Sequence, residues 1–205
     1  MSNESDIFEQ IKLYLPKYLT PTQTEDLYEE LKKFPDFTTY YWDSDEFREQ
    51  LLQGDGWRGF VVIDFGTGDR KSVSGMIVSN SCDIAMENAR YYPVNILFAP
   101  LIKLEGYLDR LREAGRTNTQ IESVAGNIRK QRCTNIFYLP GCPGSLQESM
   151  ILLDDIHAHP LQDFLGRERL SLFTLSQPAF YIFLLKLSIH LCRFREDVRR
   201  FSQAV

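Results

Sequence analysis

Between Trp57 and Leu104 three β-rich runs follow one another with turn chemistry between them: WRGFVVIDF, then SGMIVSNSCDIA after a Gly-rich turn, then PVNILFAPLIKL. Runs of this kind packed so closely predict a small barrel or a strongly curved sheet. Phe60-Val61-Val62-Ile63 has the composition of a buried strand, Gly66-Thr67-Gly68-Asp69 that of a turn, and Ser74 to Val78 returns to strand. The middle run ends in Ser79-Asn80-Ser81-Cys82-Asp83, which sets polar and thiol side chains where a strand meets a loop. Such junctions are where rigid scaffolds mount function.

The flanks read as helix. Ser5 or Asp6 can cap a first helix carrying Ile7, Phe8, Ile11, Tyr14 and Leu15 and stopping near Pro16; Thr22 or Thr24 opens a second with Leu27, Tyr28 and Leu31 on one face. A third is expected from Ser44 through Phe47 to Leu52, closing at Gly54. Beyond the β runs, Leu104, Tyr107, Leu108 and Leu111 fall at helical spacing, and polar 117–132 follows. Asn135 to Leu139 and Met150 to Leu153, joined by a Gly-Cys-Pro-Gly turn, predict a hairpin of the same sheet, and Leu170 to Leu175 a last strand. Pro178 then opens a long helix. The expected organisation is a helical extension over 1–54 and a β domain over 55–205, with a helical insertion at about 104–132 and a C-terminal helix at about 178–202.

A chain of 205 residues can bury roughly 70% of its unfolded surface, enough for one full core. Its 23 Lys+Arg against 28 Asp+Glu leave a net charge of -5, so there is no global attraction to polyanions and nucleic acid would need a local patch. Arg129, Lys130 and Arg132 make one such cluster, and Arg193, Arg195, Arg199 and Arg200 another. Cys82, Cys133, Cys142 and Cys192 form no CxxC pair, which points to free thiols in a reducing, cytoplasmic setting rather than to a disulfide framework. The apolar run from Ala179 to Cys192 carries Lys186 and His190 and is shorter than the ~20 residues that cross a bilayer, so no membrane association is expected.

Three groups of side chains carry potential chemistry. Cys82 next to Asp83 would be a nucleophile if a base or cation acted on the thiol, and a plain buried thiol beside a loop-bonding carboxylate if none did. Asp155, His157 and His159 would put both imidazoles on one side of an extended chain, a weak metal-ligand pattern that a strand-to-helix junction before Pro160 also explains. The stretch from Gly66 to Lys71 lacks the spacing of a phosphate-binding loop and leads into a strand, which rejects a nucleotide site there.

The order Gly54-Asp55, VVIDF, a Gly loop with Arg70, MIVSNSCDI and VNILFAPLI resembles the first half of the MazF/PemK toxin barrel over residues 54–104. The SxxCD ending, with Phe137-Tyr138-Leu139-Pro140 and Leu152-Leu153-Asp154, is also similar to a group of uncharacterised bacterial proteins with such a barrel. The resemblance implies an α+β fold built on an SH3-like, PemK-type small β-barrel. It also implies cleavage of single-stranded RNA by an Arg after the first strand, matched by Arg70, and by a Ser or Thr after the third. The latter position falls at Leu101 or Ile102, which transfer no proton, and acid-base help is worth about 10²–10⁴-fold. The expectation is therefore a non-enzymatic interaction subunit of a bacterial or phage toxin-antitoxin or antiviral defence module, acting without a cofactor on another protein subunit. The aromatic stretch Phe37 to Trp42 and the apolar C-terminal helix would be its contact surfaces. The alternatives are an RNA-binding or endoribonuclease barrel with Arg70, Arg129 and Arg132 on phosphates, and a Cys82-dependent enzyme.

Overall fold

The computed structural model describes residues 39–88 and 91–192, with Thr20, Thr22, Leu27, Glu29 to Leu31, Lys33 and Phe34 before them. The helix expected over 5–16 and the basic cluster from Arg193 to Arg200 lie outside the described residues; of the second expected helix, Thr22, Leu27 and Glu29 to Leu31 are helical.

Five strands form an antiparallel sheet in the order β7-β3-β2-β1-β8: β1 (Gly56–Ile63), β2 (Arg70–Ile77), β3 (Asn95–Pro100), β7 (His157–Pro160) and β8 (Leu170–Phe173). A second antiparallel sheet runs β4 (Ile102–Lys103), β6 (Ser149–Leu152), β5 (Ile136–Leu139). The class is α+β, with two sheets and no closed barrel among the described residues. The 136–152 hairpin forms as expected but not in the expected sheet. The chain changes sheets at Leu101, whose N–H bonds to Ser74 O at 2.9 Å while the next residue, Ile102, pairs with Met150. Pro100, unable to donate, ends β3 just before that step.

The second sheet is buried on both faces, and alternation sorts its side chains. Phe137, Leu139 and Ile151 enter a core with Met76, Ala99 and Phe173 of the first sheet. Ile136, Tyr138 and Met150 turn the other way, against Leu104 and Leu108 of α2 (Leu104–Glu113) and Ile121, Ala125 and Ile128 of α3 (Asn118–Arg129). Helix α3 begins on a capping box: Gln120 N–H donates to Thr117 Oγ1 at 3.4 Å and Thr117 N–H to Gln120 Oε1 at 3.1 Å. Helix α5 (Gln177–Leu191) starts at Ser176, has Pro178 in its first turn, and buries Ile182, Phe183 and Leu187 in the first core.

On the opposite face of the five-stranded sheet, Trp57, Phe60, Ile77, Ile96 and Phe98 pack with Ile84 of α1 (Ser81–Ile84) and with Leu161 and Phe164 of α4 (Leu161–Leu165). Phe60 stacks on Phe98 with centroids 4.1 Å apart and on Phe164 at 4.4 Å, each pair worth about 0.5–1.5 kcal/mol beyond its buried area. Gly75 makes room for this stack, since a Cβ there would lie 2.6 Å from Phe98 and 2.9 Å from Phe60. Gly59, with φ +115°, takes up the bulge that opens between Arg58 and Phe60.

The helix expected from Ser44 to Leu52 is reduced to a 3₁₀ turn at Asp45–Phe47. The segment is tied at both ends: Trp42 N–H bonds to Thr174 O at 2.9 Å, and Gln53 bonds through its N–H to Ser81 Oγ (2.9 Å) and through its amide to Val78 O (2.8 Å). Of the aromatic stretch before it, Tyr40 and Tyr41 are used internally and Trp42 is 49% exposed. Tyr40 is buried in the first core, and Tyr41 bridges to Leu175 and donates its hydroxyl to Pro140 O. Among the described residues no helix is long and apolar enough to cross a membrane.

Candidate functional site

Strand β1 outruns its neighbours. Strand β8 accompanies it over Gly56 to Arg58 only, and β3 meets β2 only at Gly75 to Ile77, so Val61 to Ile63 and Arg70 to Ser72 pair with each other and, among the described residues, with no third strand. This corrects the buried-strand reading of Phe60 to Ile63. Phe60 is fully buried, Val61 and Val62 are half-buried, and Ile63 is 48% exposed because no strand or helix among the described residues covers that end. Phe65, at the tip, is 96% exposed. The tip itself is built by Asp64, whose Oδ1 accepts from Gly66 N–H at 2.8 Å and Thr67 N–H at 3.2 Å, while Gly68 N–H donates to Asp64 O at 2.7 Å.

Arg70 opens β2 on this projecting ribbon, beside Lys71, and both are exposed. Arg70 pairs with Ile63, whereas Leu101 bonds to Ser74 next to Gly75, the partner of Pro100. From position 70 to position 75 the strand covers about 16 Å. The structure therefore does not bring Arg70 to Leu101 or Ile102, the pair of positions implied by the toxin resemblance.

Arg129 and Arg132 lie on the other sheet's side of the molecule, on and just after α3. Arg129 is engaged: Nε donates to Glu148 Oε1 at 2.7 Å and Nη2 to Oε2 at 2.9 Å, and Tyr138 Oη donates to the same carboxylate at 2.6 Å. The Arg129 bond holds Glu148 below the usual carboxylate range and raises the guanidinium's own pKa. A fork-to-fork pair of this kind spends Nε and Nη2 on the carboxylate and leaves only the Nη1 end of the guanidinium. Arg132 is exposed, with its N–H bonded to Asn127 O.

Ser79 to Asp83 form a turn into α1. Ser79 Oγ accepts from Leu97 N–H at 2.7 Å and Asn80 Oδ1 from Cys82 N–H at 2.9 Å. These polar groups stitch β2 to β3 and start the helix. Cys82 and Asp83 are exposed, and among the described residues the cleft beside Cys82 carries Glu49 and Glu87 with no histidine or arginine in its wall.

Asp155, His157 and His159 do not converge. His157 Nε2 meets Asp155 Oδ1 at 3.0 Å, half-exposed and stacked on Phe98, while His159 is 4% exposed and reaches Asp163 Oδ2 at 2.6 Å. Among the described residues no group of three or more His, Cys, Asp and Glu is placed to hold a metal ion. The junction reading of this segment fits the geometry, except that His159 is a core residue and not a surface one. Phe60, Phe98 and Phe164 surround its ring with centroids 5.8–6.3 Å away.

Asp55, the second residue of the Gly54-Asp55 pair, is 2% exposed. Burial pushes its carboxyl up to about 8, against the opposing hydrogen bonds from Thr174 Oγ1 (3.1 Å) and the Leu175 N–H. It ties the start of β1 to the end of β8 rather than facing a cleft. No protein-family model matches the chain, and no curated protein matches it either.

Proposed function

We propose that this protein is a non-enzymatic interaction subunit that engages a second protein through the projecting β1–β2 ribbon. The observation that carries the reading is Phe65: a phenylalanine 96% exposed at the tip of a hairpin whose outer half, among the described residues, pairs with no further strand on either side. An isolated two-stranded ribbon is marginally stable in water, and unpaired edges with apolar side chains invite a partner strand or groove. The order of motifs over residues 54–104 supports placing the β1 to β3 meander with SH3-like, PemK-type barrels, and with it a role in a toxin-antitoxin or defence module.

The test is affinity capture from host lysate with wild type and with Phe65→Asp in parallel. A protein retained by wild type and lost from the variant is the expected result; identical retention by both overturns the reading.

One observation favours a second reading. Arg70 and Lys71 are exposed on the same ribbon, which would give single-stranded RNA two cations and an aromatic tip. It predicts RNA retention at low salt that weakens as salt rises and falls in Arg70→Ala; no retention at ~50 mM salt removes it.

A further inference from the structure

Away from the ribbon, a cavity of about 360 Å³ opens beside β8 where the loop after α4 returns to the sheet. Its wall holds Arg48, Arg167 and Arg169 with Glu49, Glu168, Leu170, Ser171 and Trp57. Its volume lies at the small end of the range for ligand sites, about 300–1,000 Å³.

Arg48, Arg167 and Arg169 face Glu49 and Glu168 across this wall, and Asp163 pairs Arg167 from outside it, so recognition there rests on directed donors rather than on net charge. Arg167 and Arg169 are also positioned rather than loose. Arg167 is clamped by Asp163, Nε to Oδ2 at 2.7 Å and Nη2 to Oδ1 at 3.1 Å, which leaves its Nη1 end. Arg169 spends Nη1 on Leu165 O at 2.6 Å, leaving Nε and Nη2. Ser171 adds a hydroxyl. Trp57 is 2% exposed, and its indole Nε1 has no hydrogen-bond acceptor among the described residues. A buried N–H without a partner costs about 1–3 kcal/mol and asks for an explanation. Donor groups thus border this space on five side chains from three segments of the chain.

We propose that this cavity binds an oxyanion of the phosphate class, held by Arg48, Arg167, Arg169 and Ser171, with the Trp57 indole N–H as a further donor. Planar guanidinium groups suit the tetrahedral, acceptor-only phosphate. A second cavity of about 380 Å³ shares Arg48 and Ser171 and is walled by Trp42, Ser44 and Cys142 among others, so a ligand larger than the anion has room to continue.

The chain's two tryptophans make the test direct. Each indole N–H gives one ¹H–¹⁵N cross-peak, and Trp42→Phe assigns them. Inorganic phosphate should shift the Trp57 peak saturably at constant ionic strength, with affinity reduced about tenfold or more in Arg48→Gln and in Arg169→Gln, as expected for loss of a charge-assisted bond. Unchanged thermal midpoints in these variants separate lost binding from lost folding. No Trp57 shift at millimolar phosphate, a shift that chloride reproduces, or equal affinity in the variants overturns the proposal. A nucleoside monophosphate run in parallel distinguishes sources: tighter binding than phosphate assigns the site to a phosphorylated ligand reaching the second cavity, and equal or weaker binding to the free anion.

Discussion

Gln131 grips the backbone of Tyr138 by both ends of its amide: Oε1 accepts from the Tyr138 N–H at 3.0 Å and Nε2 donates to the Tyr138 carbonyl at 2.8 Å. Tyr138 lies in β5, the edge strand of the second sheet, so one side chain satisfies two main-chain groups that no strand reaches. Gln131 does this from a left-handed backbone, φ +55°, just past the end of α3. Lys186 of α5 completes the seam by donating to Gln131 O and Cys133 O, both at 2.8 Å.

Replacing Gln131 therefore has two separable effects. Gln131→Ala strands the buried Tyr138 N–H and C=O and keeps the strained φ, and should cost about 1–3 kcal/mol. Gln131→Gly loses the same bonds but relieves the backbone, and should be milder by about 1 kcal/mol. Urea unfolding of both variants checks the order; equal costs would mean the left-handed φ carries no strain.

Asp55 and Lys186 give stability an unusual pH course. Asp55 has its folded pKa raised to about 8, so between about pH 4 and 8 the folded chain keeps a proton that the unfolded chain has lost, and stability falls as pH rises. Burial lowers Lys186 to about 8, so between about pH 8 and 10 the unfolded chain holds the extra proton and stability rises. From these two groups alone, stability passes through a minimum near pH 8. Asp55→Asn should abolish the acid-side slope and Lys186→Met the alkaline one, read as midpoints of thermal unfolding across pH 4–10.

Two glycines should answer an added methyl group in opposite senses. At Gly75 a Cβ would collide with the Phe60–Phe98 stack, and Gly75→Ala should destabilise by about 1–3 kcal/mol. At Gly106, inside α2 with nothing within 4 Å of the new atom, Gly106→Ala should stabilise by about 0.4–1 kcal/mol. Calorimetry on the pair gives the sign directly.

His159 and Asp163 are likewise unequal partners. Nδ1 of His159 is buried without a hydrogen-bond partner among the described residues, so His159→Leu removes an orphaned polar atom along with the Asp163 bond and should change stability little. Asp163→Ala leaves both imidazole nitrogens unpaired and releases Arg167, and should destabilise more than His159→Leu. A larger loss in the leucine variant would show that the imidazole is needed for its polarity and not only for its shape.

The three runs between Trp57 and Leu104 were legible because β-branched residues and Gly-rich turns are local signals, and β1, β2 and β3 lie where those signals fall. Sheet membership was not. Whether Met150 joins the strand that holds Ala99 or the one that starts at Ile102 depends on register between residues far apart in sequence, which composition does not encode. The same limit hid Ile63: its apolar character reads as burial, and only the shortness of β8 and β3 leaves it uncovered. Arg70 was identified from its motif, whereas Arg48, Arg167 and Arg169 share no motif and meet only because β8 folds back beside the 3₁₀ turn. His159 read as a junction residue because the segment HAHP lacks β-branched side chains, yet pairing with Ile96 draws it into the core.

The step at Leu101 has a mechanical meaning. One extended stretch, residues 95–103, serves as a strand in both sheets and then becomes the first turn of α2 without a loop between them. It is a common spar, so neither sheet can be peeled away while the other stays folded. Slow amide exchange should then appear in both sheets together, as one cooperative unit, and cutting the chain at this point should yield fragments that do not fold apart. A load placed on the helical pair at Leu104 is transmitted along the same backbone to Phe98, beneath the aromatic stack that closes the opposite side of the molecule.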